Sequence, residues 1–227
     1  RDRSPSRGLG DVYKRQGMIG ERQVGCPLVV HRRCIEPMFS ISNLISYDNR
    51  MFNKTNKKEE YLKPENLFLI KKSGWINVEG EENGGKDHFV KNQAERVCQL
   101  MEDAVHIYSD LFGTDDKIFI ITPFRTVAES MRKFIISYFS VKGYDKQILS
   151  KWTKNCVGTV HTFQGKDANE VLLVLGCSNK SAGAMNWVVK KANILNVACT
   201  RAKYRIAFIG NINDWKNSCL LYTSPSP

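Results

Sequence analysis

The chain has 227 residues, 42% of them apolar and 25% charged, with a formal net charge of +11. That length and apolar share suffice for one domain of ordinary size with a real core, which excludes disorder as the default state. No apolar run approaches the roughly 20 residues of a bilayer-spanning helix, and the seven cysteines show neither CxxC spacing nor partnering histidines, which argues against a disulfide or zinc framework. The cysteines are therefore read as reduced, buried small residues, and the expected location is cytoplasmic, or nuclear in a eukaryote.

Residues 1–16, RDRSPSRGLGDVYKRQ, have no hydrophobic period and resemble translated sequencing-adapter read-through, as do residues 219–227, CLLYTSPSP. Both are expected to be extraneous tails on a folded unit spanning 17–218. The first tail holds five Lys/Arg and two Asp, three of the net positive charges, and +8 remains without it. Such an excess fits a polyanionic partner and fits plain solubility equally well.

Residues 26–31, CPLVVH, read as a strand, and the arginine pair Arg32 and Arg33 follows it. Met38, Ile41, Leu44 and Ile45 then space out a short helix. Residues 53–60, NKTNKKEE, form a charged exposed link, and 67–70 and 75–78 read as short strands around the turn KKSG. Residues 91–109 have the period of an amphipathic helix, with Val97, Leu100, Met101, Ala104 and Ile107 on one face. Just before it, 80–87, GEENGGKD, satisfies the phosphate-loop pattern GxxxxGK[ST] at all but its last position. Asp87 cannot supply the hydroxyl that ligates magnesium, and Glu81, Glu82 and Asp87 would set negative charge against a phosphate. The stretch is accordingly read as a glycine-rich surface turn. Residues 117–122 read as a strand, and Pro123 starts a helix whose buried side is Val127, Met131, Phe134 and Ile135. Strand and helix alternate to the end, which implies crossover connections and a mostly parallel sheet covered by helices on both faces.

The most informative stretch is 157–176, VGTVHTFQGKDANEVLLVLG. The aliphatic runs 156–160 and 171–175 lack polar alternation, as strands buried on both faces of a parallel sheet do, and both are expected to be central strands. Between them lie Thr159, His161, Thr162, Gln164, Gly165, Lys166 and Asp167, more hydrogen-bonding groups than a plain connector needs. The simpler alternative is a polar surface loop that bends at Gly165. Further on, Asn193 reads as a helix N-cap, and Ile194, Val197, Ala198 and Arg201 follow at the spacing of one helical face. Arg201 is thus placed on an apolar stripe, where a guanidinium must be paired. Asp167 or Glu170 would make an internal ion pair; a bound phosphate would make a functional one.

These residues carry a family resemblance. GTVHTFQGKDANEVLLVLG and LNVACTRAKYRIAFIGN resemble motifs V and VI of superfamily 1 helicases, in the five-prime to three-prime branch whose second motor domain has a TxHxFQG loop and an LNVAxTRA helix. HRRCIEPMFSISNLISYDNRMF at 31–52 resembles that branch's arginine motif, and IITPFRTVAESMRKFI at 120–135 its TPF/TPY motif. Four motifs in the family's order cover about residues 25–215. Asp167 stands where glutamate is commoner, and HRRCIEP has one residue more than the usual arginine, two residues, proline pattern. Either Arg32 or Arg33 is then the functional arginine, with Arg33 favoured because Cys34 follows it as in relatives.

The resemblance implies an α/β, RecA-like P-loop NTPase fold and the second motor domain of a helicase, without a Walker A loop of its own. It implies that Arg33 and Arg201 reach the γ-phosphate of ATP, and that Gln164, Gly165, Lys166 and Asp167 bind the cofactor and link it to the nucleic-acid track. Thr122, Thr159, His161 and Thr162 would hold single-stranded DNA or RNA by its backbone. The plainer roles for these four are turn or capping hydrogen bonds for the threonines and a satisfied core imidazole for His161. ATP and Mg2+ would be held in a full-length parent, with the missing N-terminal RecA-like domain as partner and no membrane; this piece alone is expected to be inactive. Two rival classes remain: a nucleic-acid-binding module without motor activity, and a nuclease or other enzyme on the same scaffold. The second lacks any carboxylate or His/Cys group at metal-ligand spacing in the sequence.

Overall fold

The computed structural model describes residues 18–19, 22–23, 29–55, 68–84, 87–108 and 110–216, so both expected tails lie outside the described residues. In chain order its elements begin with β1 (Met18–Ile19), β2 (Arg22–Gln23), β3 (Val30–His31), α1 (Met38–Tyr47), β4 (Phe52–Asn53) and β5 (Gly74–Asn77). There follow β6 (Glu82–Gly84), β7 (Asp87–Val90), α2 (Lys91–Ile107), β8 (Ile118–Thr122), α3 (Arg125–Val141), α4 (Lys146–Cys156) and β9 (Val157–Thr159). The last are β10 (Ala168–Val174), α5 (Ala182–Val189), α6 (Ala192–Arg201), β11 (Ala202–Gly210) and α7 (Ile212–Lys216).

Five strands form the central sheet in the order β5, β11, β10, β8, β9, and every neighbouring pair is parallel. This is the α/β, RecA-like architecture expected. All five residues of β8 are buried, so both of its faces are covered, as a strand spelled IFIIT requires. Helix α2 buries Val97, Leu100, Met101 and Ala104 at the predicted spacing. Helix α4 is capped by Asp145, whose carboxylate accepts the backbone N–H groups of Gln147 and Ile148 at 2.8 and 2.9 Å. All five described cysteines, Cys34, Cys98, Cys156, Cys177 and Cys199, are buried and outside any disulfide.

Several sequence expectations give way. Of the 156–160 run only Val157–Thr159 is strand, and this β9 is an edge strand rather than a central one; α3 and α4 pack against it, and Val157 and Gly158 are buried. Residues 68–70 form no strand, because the N–H groups of Leu69 and Ile70 donate to the Glu170 carboxylate at 2.8 and 2.6 Å instead of to a ladder. Helix α3 starts at Arg125, past Pro123, since Phe124 is held extended with its ring against His88 at 4.7 Å. Helix α6 starts one residue before Asn193, which is exposed in its first turn and caps nothing. On α1 the buried face is Met38, Phe39, Ser42 and Asn43, leaving Leu44 exposed. The GEENGGKD stretch lies in an antiparallel hairpin, with Glu82 opposite Val90 and Gly84 opposite Asp87; Gly85 and Lys86 are outside the described residues.

Candidate functional site

Arg201 ends α6 and immediately precedes β11, so it stands at the amino-terminal edge of the sheet. It is 7% exposed, buried as its place on the helix stripe predicts. Its Nη1 donates to the carbonyls of Phe163 and Lys166 at 3.2 and 3.0 Å, and its Nη2 to the Thr200 hydroxyl at 3.3 Å. Neither expected carboxylate closes an ion pair with it. Asp167 pairs with Lys203 at 2.9 Å, and both Glu170 oxygens are taken by Leu69, Ile70 and the Tyr108 hydroxyl. The Arg201 Nε is buried without any hydrogen-bond partner among the described residues. Burial holds the guanidinium below its ordinary value, the nearby Arg33 charge pushes it the same way, and Asp167 acts against both. Two cations that oppose one another, one of them buried with an unused donor, make a place where an anion lowers the energy.

Arg33 reaches this place because its loop is fixed on both sides. The Cys34 N–H donates to His31 Nε2 at 2.9 Å, and the Thr55 hydroxyl donates to the Cys34 carbonyl at 3.1 Å. Accepting that N–H requires an unprotonated Nε2, and burial together with Arg33 does hold the His31 imidazole below its usual value. Behind the loop, α1 packs along α6, with the Ser42 hydroxyl donating to Asn196 Oδ1. The arginine segment is thereby docked on the helix that carries Arg201. Arg32 and Arg33 are both exposed, and of the two it is Arg33 whose charge acts on Arg201.

The polar loop joins the two edges of the sheet. Thr122 and Thr159 end β8 and β9 and face each other in register at the carboxyl-terminal edge. From there a single turn of 3-10 helix, Val160–Phe163, brings the chain back along the sheet, with Phe163 stacked on Phe119 of β8 at 4.4 Å. The five residues of β8 span about 13 Å at a strand's rise, which is the distance this loop bridges. His161 is exposed and not a core imidazole, Thr162 and Thr159 are half-buried, and Thr122 is buried. Gln164, Gly165 and Lys166 are exposed and Asp167 is half-buried. Gly165 has φ +84, with open space where a side chain would stand, so backbone conformation and not crowding calls for glycine there.

A family model for the AAA domain matches residues 15–213. The chain belongs to the AAA domain family. A regulator of nonsense transcripts 1 homolog of Arabidopsis thaliana is 34% identical over 95 residues, 42% of this chain and 7% of the relative. Regulator of nonsense transcripts 1 of Caenorhabditis elegans is 30% identical over 114 residues, 44% of this chain and 10% of the relative. An ATP-dependent helicase upf1 of Schizosaccharomyces pombe is 31% identical over 96 residues, 42% of this chain and 10% of the relative. The chain thus spans a tenth or less of these relatives' length. Together the matches bear out a superfamily 1 helicase motor domain.

Two residues of this AAA domain escaped the sequence reading, one that shapes the polar loop and one that docks the arginine segment. A Cβ at Gly158 would stand 2.5 Å from the Thr162 Oγ1 and 2.8 Å from its Cβ, so only glycine lets the turn fold back onto β9. A glycine inside a strand pattern was the available signal. Asn196, buried between the helices, was hidden because a polar residue beside an apolar stripe reads as solvent-facing.

Proposed function

We propose that this domain is the C-terminal motor half of an ATP-dependent helicase acting on single-stranded DNA or RNA, and that its folded unit runs from 17 to 218. The observation that carries the reading is the buried Arg201, held by carbonyls instead of a carboxylate, with Nε unused and the nearby Arg33 charge opposing its own. A γ-phosphate would satisfy both guanidinium groups and relieve their mutual repulsion, and the residues present therefore fit such a group. ATP with Mg2+ supplies the phosphoryl group transferred to water, and a preceding RecA-like domain of the same polypeptide would hold both.

In that arrangement Arg33 and Arg201 stabilise charge developing on the phosphate in a water-poor cleft. Gln164, Gly165, Lys166 and Asp167 sit on the same turn whose carbonyls hold Arg201, so a shift of the guanidinium is felt by the loop. At its other end Thr159, His161 and Thr162 would contact a nucleic-acid backbone, which positions the strand without reading its sequence. Thr122, being buried, would act by supporting Thr159 across the β8–β9 pair. The S. pombe relative's name supports ATP dependence, and the names of the other two, which refer to transcripts, make RNA the first track to test. A cytoplasmic location goes with that reading.

Joining the upstream domain to this chain gives the protein to assay. Arg33→Ala is expected to abolish most nucleic-acid-stimulated ATP turnover while Arg32→Ala leaves it within about twofold, and the chain by itself should turn over no ATP. Equal effects of the two substitutions would remove Arg33 from the site. Turnover by the isolated chain would contradict the division of labour.

A further inference from the structure

The β6–β7 hairpin, spelled like a phosphate loop, has no part in that ATP site. Its residue Glu82 is 95% buried by side chain, being 5% exposed, and its Oε2 lies 3.1 Å from Nδ1 of His88 on the facing strand. Cys177, from the turn after β10, joins them: the ligand atoms of Glu82, His88 and Cys177 all lie within 4.8 Å of one another. The sequence reading found no His/Cys group at metal spacing because the thiol lies about ninety residues beyond the imidazole.

The backbone works to bring the thiol there. Gly176 and Cys177 are both left-handed, at φ 63 and 57, and Cys177 is a non-glycine residue in that region. A side chain at Gly176 would stand 2.7 Å from the His88 carbonyl, which itself accepts the Cys177 N–H at 2.9 Å. The loop is thus pressed against the hairpin. Cys177 is 1% exposed, and its Sγ has no hydrogen-bond partner among the described residues. Groups outside the trio orient two of its members. The Ser181 hydroxyl donates to the other Glu82 oxygen, and the His88 ring lies against Phe124 at 4.7 Å. Such outer contacts are what hold metal ligands in place.

We propose that Glu82, His88 and Cys177 form a site for a zinc-class divalent transition metal, independent of the ATP reading. A thiolate and an imidazole beside one carboxylate favour that class over calcium or magnesium, which take oxygen ligands. The 3.1 Å between Glu82 and His88 subtends about 100° at a metal about 2.0 Å from each, near the tetrahedral value. Thiolate and imidazole atoms around zinc stand about 3.5 Å apart, so the Sγ has at most about 1.3 Å to travel, which is within reach of a side-chain rotation. On ligation the thiol proton leaves to solvent, and three protein ligands leave a fourth position for water. The bound ion ties the hairpin to the turn after β10 and, through His88 and Phe124, to the segment following Thr122.

Cobalt(II) added to the purified chain tests this, because cobalt–thiolate charge transfer absorbs in the near ultraviolet. One equivalent is expected to bind with that band and tetrahedral-type visible bands, to be displaced by Zn2+, and to raise the melting temperature. Cys177→Gly keeps the left-handed backbone but lacks the thiol; it should lose the band and bind at least about 100-fold more weakly, more than loss of an outer contact costs. His88→Asn should weaken binding similarly, and the folding of each variant is checked by its own melting curve. Absence of the band in the wild-type chain overturns the proposal. So does a band that persists in Cys177→Gly, which would put the metal on other cysteines.

Discussion

Replacing Gly158 by alanine probes the closest approach in the candidate site. The added Cβ would meet Thr162 at 2.5 Å from Oγ1, 2.8 Å from Cβ and 2.9 Å from Cγ2. Carbon contacts are favourable near 3.5–4.0 Å, so the deficit is about 0.7 Å or more, and rotating Thr162 cannot remove it because its Cβ is one of the clashing atoms. Strand β9 is pinned by its register with β8, Ile121 opposite Gly158, so the turn carrying His161 and Thr162 has to move. Overpacking of this kind costs about 1–3 kcal/mol. With a urea slope of about 2 kcal/mol per molar, the midpoint should fall by about 0.5–1.5 M. Thr162→Gly removes all three clashing atoms, so Gly158→Ala made in that background should cost little more than Thr162→Gly alone. A midpoint unchanged by Gly158→Ala, or losses that simply add in the double variant, would refute the reasoning.

Glu170 is fully buried; its burial pushes the carboxyl up, while the Tyr108 hydroxyl at 2.6 Å, the Ile70 and Leu69 N–H groups and Arg205 pull it back, with a net upward direction. A raised acid contributes stability that is present below its unfolded value and lost as pH rises through its folded value. Tyr108→Phe removes one donor to the carboxylate, so it should cost about 1.5–3 kcal/mol at pH 7.5 and distinctly less at pH 4.5, read by urea titration; a loss independent of pH would contradict this. His31 is shifted downward, chiefly by burial, so its contribution is present above the unfolded value near 6.5 and lost as pH falls through the folded one. The melting temperature should accordingly drop between pH 7 and pH 5, and His31→Asn should flatten that part of the profile.

The parts of the fold decided by local physics were legible in the sequence. The aliphatic run of β10, the helical period of α2 and the position of Arg201 on the α6 stripe each follow from side-chain spacing, and the structure keeps them. What failed depended on partners distant in the chain. Residues 68–70 have strand composition, but the Glu170 carboxylate, a hundred residues on, takes their N–H groups. Leu44 fits an apolar period, but α1 meets α6 through Ser42 and Asn196, which rotates the leucine to the surface. Val157–Thr159 reads as a central strand because helices cover it, and burial by helices looks the same in sequence as burial between strands. For Arg201 the sequence offered a carboxylate or a bound phosphate, because opposite charge is the obvious remedy for a buried guanidinium, and the carboxylate alternative fails. Carbonyls of a tight turn perform that task here and leave one donor unused.

That unused donor is where the account is most directly tested, by measuring Arg201→Ala twice. In this chain the substitution removes bonds to two carbonyls, one of them on exposed Lys166 where water can replace it, and a long bond to the Thr200 hydroxyl, and it also removes a buried unpartnered Nε. Its stability cost should therefore stay below about 2 kcal/mol, short of the 3–5 kcal/mol expected when one partner of a buried ion pair is lost. In the joined motor the same change should lower kcat by about 10³ or more at constant salt, with nucleic-acid affinity nearly unchanged. A stability loss of 3 kcal/mol or more beside near-normal turnover would contradict the account, making Arg201 a structural residue.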